Sequence, residues 1–220
     1  NDIVSPNPNI QISATDENKH FLINDPNNIK VWITYPGQTE KELDMSSGQL
    51  SFTPADAKTR KAKLIFTPTN LQDGVYQLRC QAYDVVGNPS ANDDYKIQFR
   101  VVNKPSITRI YPYPNPFNTK CHFVFTLTGS QLPDNIHIQI MTLTGIVVKD
   151  IYKEDLGNIR IGNNITDYAW DGTDQYGEKL GNGVYLYKVT ARLNGKDIEI
   201  THNNDDQYFK QGIGKIVLLR

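Results

Sequence analysis

The chain has 220 residues, of which 38% are hydrophobic and 10% aromatic, and its formal net charge at pH 7 is -1. This composition is too apolar and too aromatic for a disordered chain. No basic stretch interleaves with aromatic residues, and this together with the near-neutral charge argues against a nucleic-acid or polybasic membrane-binding surface, because both depend on positive charge. No run approaches the ~18 apolar residues that a transmembrane helix requires, so no membrane-spanning segment is expected.

The first residues of the chain contain no initiator Met, no charged region and no apolar region of the kind found in signal peptides. We therefore expect the sequence to be part of a longer protein. Any signal peptide or catalytic domain would lie upstream.

Apolar and polar residues alternate with a period of two along the chain, and clusters of Pro, Gly, Asn and Asp separate the short runs. This pattern predicts β-strands joined by turns. The most helix-like segment, residues 56–63, is short and follows Pro54. The predicted strands include residues 10–12, 31–33, 64–66, 75–80, 95–101, 123–125, 136–140, 147–148, 185–189 and 216–219.

A short internal repeat indicates two copies of one kind of domain. The segment LQDGVY at 71–76 recurs in similar form as LGNGVY at 180–185. Gly74 and Gly183 therefore lie roughly 110 positions apart, about the length of one immunoglobulin-like sandwich.

In each copy the glycine turn leads into a long strand that begins with a tyrosine, Tyr76 or Tyr185. Such a tyrosine can pack at the sandwich edge and donate a hydrogen bond back through its hydroxyl, as in a tyrosine corner. A strand ends shortly before Pro105, which marks the boundary. The sequence predicts an all-β fold of two tandem immunoglobulin-like β-sandwiches, at residues 1–104 and 105–220.

Catalytic patterns are absent from the sequence. No serine lies in a GxSxG elbow, no HExxH pattern occurs, and no histidine pairs with a cysteine in metal-ligand spacing. Cys80 falls on the inward face of a strand, and a bridge from it to Cys121 would have to link the two domains, so free thiols are expected. His137 lies between two isoleucines of a strand and is expected to face outward. We expect that this chain is not itself an enzyme.

Acidic residues on predicted turns could hold a calcium ion, which prefers about six to eight oxygen ligands. The candidates are Asp171 with Asp174, and Asp205 with Asp206. None has the spacing of an EF-hand loop, and Asp is also an ordinary turn residue. We expect no cofactor, and calcium is the alternative.

Two tryptophans could serve as stacking platforms for sugar rings. Trp32 lies in a Val-Trp-Ile strand, and Trp170 opens a Trp-Asp-Gly turn. We expect both to pack in a core or interface. An adhesive or carbohydrate-binding tandem is the alternative function.

The strand that follows the first glycine turn runs into the sequence AYDVVGNPS at 82–90. This segment resembles the hairpin of bacterial immunoglobulin-like domains, in which Asp, Gly and Asn shape the turn between the last two strands. The resemblance implies a fold and no particular ligand.

A stronger resemblance covers about residues 107–220 and rests on four motifs in a fixed order. The motif residues are Pro114, Asn115 and Pro116, then Trp170, Asp171 and Gly172, then Gly183 and Tyr185, and finally Gly214, Lys215, Ile216, Val217, Leu218, Leu219 and Arg220. This order resembles a domain of the flagellar hook-capping protein and the C-terminal sorting domains of type IX secretion cargo in Bacteroidetes. The terminal lysine and apolar strand favour the sorting domain, although the segment 197–211 is longer than the compact family pattern.

The resemblance implies that the second domain is recognised by outer-membrane secretion machinery and acts as a secretion, sorting and surface-attachment module. It places the protein outside the cell or on the outer-membrane surface, where a sortase often replaces such a domain with a lipopolysaccharide anchor. The preceding domain would be a spacer from upstream domains, as in sortase-like C25 peptidases. Recognition would fall on residues 214–220, through shape and exposed strand edges.

Overall fold

Within the residues that the structure describes, the runs of alternating apolar and polar residues form β-strands. The structure is a computed structural model and describes residues 2–15, 22–84, 87–90, 94–201 and 213–220. Two units divide the chain, Asn1–Val102 and Asn103–Arg220, here called unit 1 and unit 2. No helix in the described ranges is long and apolar enough to cross a membrane.

Unit 1 contains two sheets. Its strands are β1 (Asp2–Val4), β2 (Ile10–Thr15), β3 (Ile29–Thr34), β4 (Glu40–Glu42), β5 (Leu50–Thr53), β6 (Lys61–Phe66), β7 (Gly74–Ala82) and β8 (Tyr95–Val101), with single-turn 3-10 helices at Pro26–Asn28 and Met45–Ser47. One sheet has the strand order β1-β8-β7-β3-β4 and the other β2-β6-β5. Strand β1 runs parallel to β8, and the other pairs are antiparallel.

Inward side chains from both sheets of unit 1 share one hydrophobic core. In β3, Val31 and Ile33 are buried, whereas Lys30 is exposed and Trp32, which lies between the two buried residues, is half-buried. Leu64 and Phe66 of the other sheet are fully buried in the same core. The alternation of the sequence therefore sets which face of each strand is inside.

The helix-like segment at 56–63 forms a turn and the start of a strand. The Asp56 carboxylate accepts hydrogen bonds from the backbone N–H groups of Lys58 (2.8 Å) and Thr59 (2.6 Å). Strand β6 begins two residues later. The side chain thus satisfies the turn locally, as Asp commonly does.

Unit 2 also contains two sheets. Its strands are β9 (Ser106–Tyr113), β10 (His122–Thr128), β11 (Asn135–Met141), β12 (Val147–Tyr152), β13 (Gly162–Ile165), β14 (Gly183–Leu193), β15 (Lys196–Asp197), β16 (Glu199–Thr201) and β17 (Ile213–Leu218), with a 3-10 helix at Lys153–Leu156. One sheet has the order β13-β10-β9-β16. In the other, β14 lies next to β11, which pairs with β12, and β14 also pairs with β15 and β17.

The core of unit 2 is lined by both of these sheets. Phe123 and Phe125 of β10 and Ile138 of β11 are at most 1% exposed, and all three belong to one buried cluster. The predicted all-β fold of two immunoglobulin-like β-sandwiches is confirmed.

Both cysteines are free. Cys121 is fully buried in the core of unit 2, and Cys80 is partly buried against the core of unit 1. Burial raises the pKa of Cys80 to about 11 and that of Cys121 to about 12. Each is therefore a protonated thiol at neutral pH that packs as a small apolar side chain.

The tyrosine corner predicted from the internal repeat is present in both units. The Tyr76 hydroxyl donates to the carbonyl of Gln72 at 2.9 Å, and the Tyr185 hydroxyl donates to the carbonyl of Gly181 at 2.7 Å. Each bond spans four residues and fixes the chain as it enters the long strand. Gly74 is also required for space, because a Cβ there would lie 2.3 Å from Pro36 Cγ.

Candidate functional site at the C-terminal strand

The terminal motif forms β17 and adds a strand to the second sheet of unit 2. It pairs antiparallel with β14, with Leu218 opposite Gly183. Ile216 and Leu218 are fully buried in the core, whereas Lys215 is exposed. The long connection before β17 does not prevent this docking, and its residues 202–212 lie outside the described ranges.

The Pro-Asn-Pro-Phe motif covers the outer edge of β17. The Asn115 side chain accepts from the Val217 N–H at 2.9 Å and donates to the Lys215 carbonyl at 3.1 Å. Phe117 N–H donates to the Val217 carbonyl (3.0 Å), and its carbonyl accepts from Leu219 N–H (2.8 Å). The expectation that this strand edge is open for recognition is wrong, because the chain's own backbone and Asn115 already occupy it.

The Trp-Asp-Gly turn lies against the end of the same segment. The Arg220 guanidinium donates to the carbonyls of Asp171 and of Leu180, the latter at 3.3 Å. Gly172 has a φ of 75°, and a Cβ there would lie 2.8 Å from both Leu218 Cδ2 and Arg220 Nη2. Glycine is therefore required at this position for its conformation and for the close approach of the last residues.

The Asn-Gly-Val-Tyr motif completes the enclosure of the segment. Asn182 Nδ2 donates to the Arg220 carbonyl at 3.1 Å, and Asn182 Oδ1 accepts from the Arg220 N–H at 2.8 Å. The structure thus brings the other three sequence motifs together around the fourth, residues 214–220. Pro114 and Pro116 flank Asn115, and the peptide bond before each is cis.

Gly172→Ala is expected to destabilise unit 2 by about 2–4 kcal/mol, the sum of a left-handed backbone cost and the overpacking of Leu218 and Arg220. Gly177→Ala is the matched control, because Gly177 has a φ of 88° but nothing within 4 Å of a Cβ. The control should cost only about 1–2 kcal/mol. Urea unfolding measures both, and equal losses would show that the approach of the terminal segment is not tight.

Trp170 anchors the site from inside the core. It is 0% exposed and packs between Phe117 and Tyr185, with ring centroids 5.4 and 5.7 Å away. Its indole N–H donates to the Thr173 carbonyl at 2.8 Å. The predicted packing role is confirmed, and a sugar platform at Trp170 is excluded because neither ring face reaches solvent.

Trp32 is half-buried on the outer face of β3. The Arg79 guanidinium carbon lies 3.6 Å from the centroid of its ring. Arg79 is held there by both carboxylate oxygens of Glu40 (2.8 and 2.7 Å) and by Asp94. One ring face of Trp32 is therefore covered by a cation–π contact, which does not favour sugar stacking on that face.

The calcium candidates Asp171 and Asp174 bind the backbone of their own turns. Asp171 Oδ1 accepts from the Thr173 hydroxyl (2.7 Å) and N–H (3.1 Å), and the hydroxyl contact is the main reason that the pKa of Asp171 is lowered. Asp174 Oδ1 accepts from the N–H groups of Tyr176 and Glu178. Among the described residues no three His, Cys, Asp or Glu side chains cluster as metal ligands. Asp205 and Asp206 lie outside the described ranges.

The outward face beside β17 carries a set of apolar side chains that sequence reasoning missed. Met141 lies opposite both Val147 and Leu186, and Val184 lies opposite Val217. These five residues, here called the outer patch, are in-register or next-but-one neighbours on one face, where cross-strand Cβ atoms are about 5 Å apart. The signal that could have revealed them is the apolar residue at every position from 184 to 187, which leaves no polar face for a half-exposed strand.

Exposed residues extend the outer patch at both sides. Leu143 and Ile146, at the tip of the β11–β12 hairpin, are each 65% exposed, and Leu219 is 52% exposed. A set of neighbouring exposed apolar side chains is a candidate interaction site.

No family model matches the chain, and no curated protein matches it. Similar solved structures include dimeric latent PorU from Porphyromonas gingivalis, at 19% identity and a TM-score of 0.39, with 99% of this chain and 18% of that chain covered. The BSP domain of a biofilm associated protein has 14% identity and a TM-score of 0.26, with 92% and 28% covered. Fibronectin(III)-like modules of CbhA from Clostridium thermocellum have 16% identity and a TM-score of 0.27, with 98% and 88% covered. The chain spans less than a third of the first two proteins, and likeness at this level assigns no function.

Proposed function

We propose that unit 2 is a non-catalytic recognition module that directs a bacterial protein out of the cell, as a type IX sorting domain does, and attaches it to the outer-membrane surface. Unit 1 is the spacer between this module and further domains of the same protein. The partner is a protein of the outer-membrane secretion machinery.

The observation that carries the proposal is the outer patch beside the terminal strand. Val217 belongs to both the outer patch and β17, and Leu219 follows β17 on the same outward side. Burying this apolar surface against a partner would supply most of the binding free energy. Because Asn115 and Phe117 occupy the strand edge, the partner would contact side chains and not the backbone of β17.

The exposed Lys215 lies in register beside Leu186 of the outer patch. A partner that covers the patch would therefore meet a positive charge at its border. Charges at an interface border mainly set orientation and association rate, so a complementary acidic group on the partner is expected there.

Chemistry of the described side chains supports a non-catalytic role. The two cysteines are the strongest nucleophiles in the chain, but burial keeps both in the thiol form. His137 faces the outer side of its sheet, as expected. It is bound to Asp150 at 2.7 Å and stacked on Tyr152, so one ring nitrogen and one ring face are already engaged.

The proposal is tested by export of a reporter fused to the full 220-residue chain in a host that carries the type IX pathway. The variants Leu219→Asp and Leu143→Asp should strongly lower the reporter signal at the cell surface, because each places a charge in the contact without touching the core. Melting curves of the purified variants should stay close to those of the unchanged chain.

Ile165→Asp is the matched control. Ile165 is 58% exposed in the same unit but on the other sheet. Its variant should be exported normally. Failure of the unchanged chain to reach the surface, or normal export of both patch variants, would contradict the proposal.

A further inference from the structure

A second row of outward side chains lies on the other sheet of unit 2. Val124 of β10 lies opposite Tyr111 of β9 on one side and Ile165 of β13 on the other, and His122 lies opposite Tyr113. These five residues are here called the aromatic strip. Tyr113 is 60% exposed, Ile165 58% and Tyr111 42%.

A bulge in β9 sets the position of the aromatic strip. The register shifts between Val124 and Thr126, and Arg109 on the facing strand has a φ of 54°. A non-glycine residue in this conformation is uncommon, and bulges often re-aim side chains next to functional sites. After the bulge, Tyr111 and Tyr113 point to the same face of the strand, about 6.6 Å apart along it.

The surroundings of the strip are polar and almost uncharged. Arg109 is the one Lys, Arg, Asp or Glu residue in β9, β10 and β13. Asn163 is exposed and accepts a hydrogen bond from the Thr126 hydroxyl at 2.8 Å. His122 Nδ1 lies 2.7 Å from the Thr166 carbonyl, so Nδ1 is the donor and Nε2 is the acceptor of the neutral ring.

Exposed tyrosines next to neutral hydrogen-bonding groups match a ligand that has apolar faces and many hydroxyls. Sugar rings combine these properties, since their C–H faces stack on aromatic rings and their edges carry hydroxyl groups.

We propose that the aromatic strip binds a neutral polysaccharide in an extended, ribbon-like conformation, with its hexose rings stacked on Tyr111 and Tyr113. An extended chain fits because Tyr111 and Tyr113 follow one another along the same face of β9. This activity is separate from the export proposed above and uses the opposite sheet of the same unit.

Calorimetric titration of the full 220-residue chain tests the inference. The probes are cellohexaose and β-1,4-mannohexaose, which are extended, and maltohexaose, which is helical. At least one extended probe should bind saturably, more tightly than maltohexaose, and without sensitivity to added salt because the ligand is uncharged. Tyr111→Ala and Tyr113→Ala should each weaken binding about tenfold.

Tyr176→Ala is the matched control, because Tyr176 is 90% exposed on a turn outside the strip. It should bind like the unchanged chain. The inference is overturned if neither extended probe binds, or if the strip variants bind normally. It is also overturned if the control loses binding equally, or if sedimentation shows a dimer that the strip variants abolish while no sugar binds.

Discussion

Leu218→Ala is expected to lower the free energy of unfolding of unit 2 by about 2–5 kcal/mol, because it leaves a cavity in a packed core. Leu218 is 0% exposed and contacts the region around Gly172. Each unit contains one tryptophan, so Trp170 fluorescence in a Trp32→Phe background reports urea unfolding of unit 2 alone.

Leu219→Ala is the control for this measurement. Leu219 follows directly but is 52% exposed, so its replacement should change stability by no more than about 0.5 kcal/mol. If the two variants unfold at the same urea concentration, β17 is not part of the core.

A deletion of residues 214–220 therefore cannot separate an export signal from folding. It would remove two fully buried side chains, Ile216 and Leu218, together with the hydrogen bonds to Asn115 and Phe117. Loss of export after such a deletion could result either from loss of the recognised surface or from unfolding of unit 2. Single exposed positions such as Leu219 distinguish them, because they change the surface and leave the core intact.

Trp170→Ala is expected to destabilise unit 2 by about 3–5 kcal/mol, the usual range for a buried aromatic residue. The variant loses the packing against Phe117 and Tyr185 and leaves the Thr173 carbonyl without its indole donor. Denaturant unfolding followed by circular dichroism measures the change. Trp170→Phe should recover part of the loss, since it restores ring packing without the hydrogen bond.

Trp32→Ala provides the comparison within the same chain. Trp32 is half-buried on a sheet surface, and its replacement removes the contact with Arg79, which is worth about 0.5–1 kcal/mol at an exposed site. Its effect should therefore be smaller than that of Trp170→Ala. A larger effect at Trp32 would reverse the assignment of the two roles.

Local patterns in the sequence were sufficient to predict much of the fold. Each of the ten predicted runs lies in a strand, although the last extends one residue past β17. The tyrosine corners at Tyr76 and Tyr185 could also be predicted from the internal repeat, because their hydrogen bonds span only four residues. Strands without a clear apolar alternation were missed, including β13, which is mostly polar, and β9, which contains Pro112.

The assembly of the candidate site was beyond local patterns. Asn115 and Val217 are 102 residues apart, and nothing in either segment indicates that the other completes its hydrogen bonds. The motifs at Trp170 and Gly183 are recognisable in the sequence, but their meeting around Arg220 depends on sheet topology. The outer patch depends on register as well, since Val184 and Val217 become neighbours only when β17 pairs with β14.

Because β17 lies between β14 and the Phe117 segment, it also sets the order in which the two units can complete their cores during translation. Unit 1 has its last strand once Val101 has left the ribosome, whereas unit 2 lacks a core strand until Leu218 has emerged. We expect the nascent unit 2 to stay open throughout this interval, because its closing contacts are distant in sequence. A chain that stops before Val217 would have neither a closed core nor a complete outer patch. The complete outer patch therefore forms only on chains whose synthesis has passed β17.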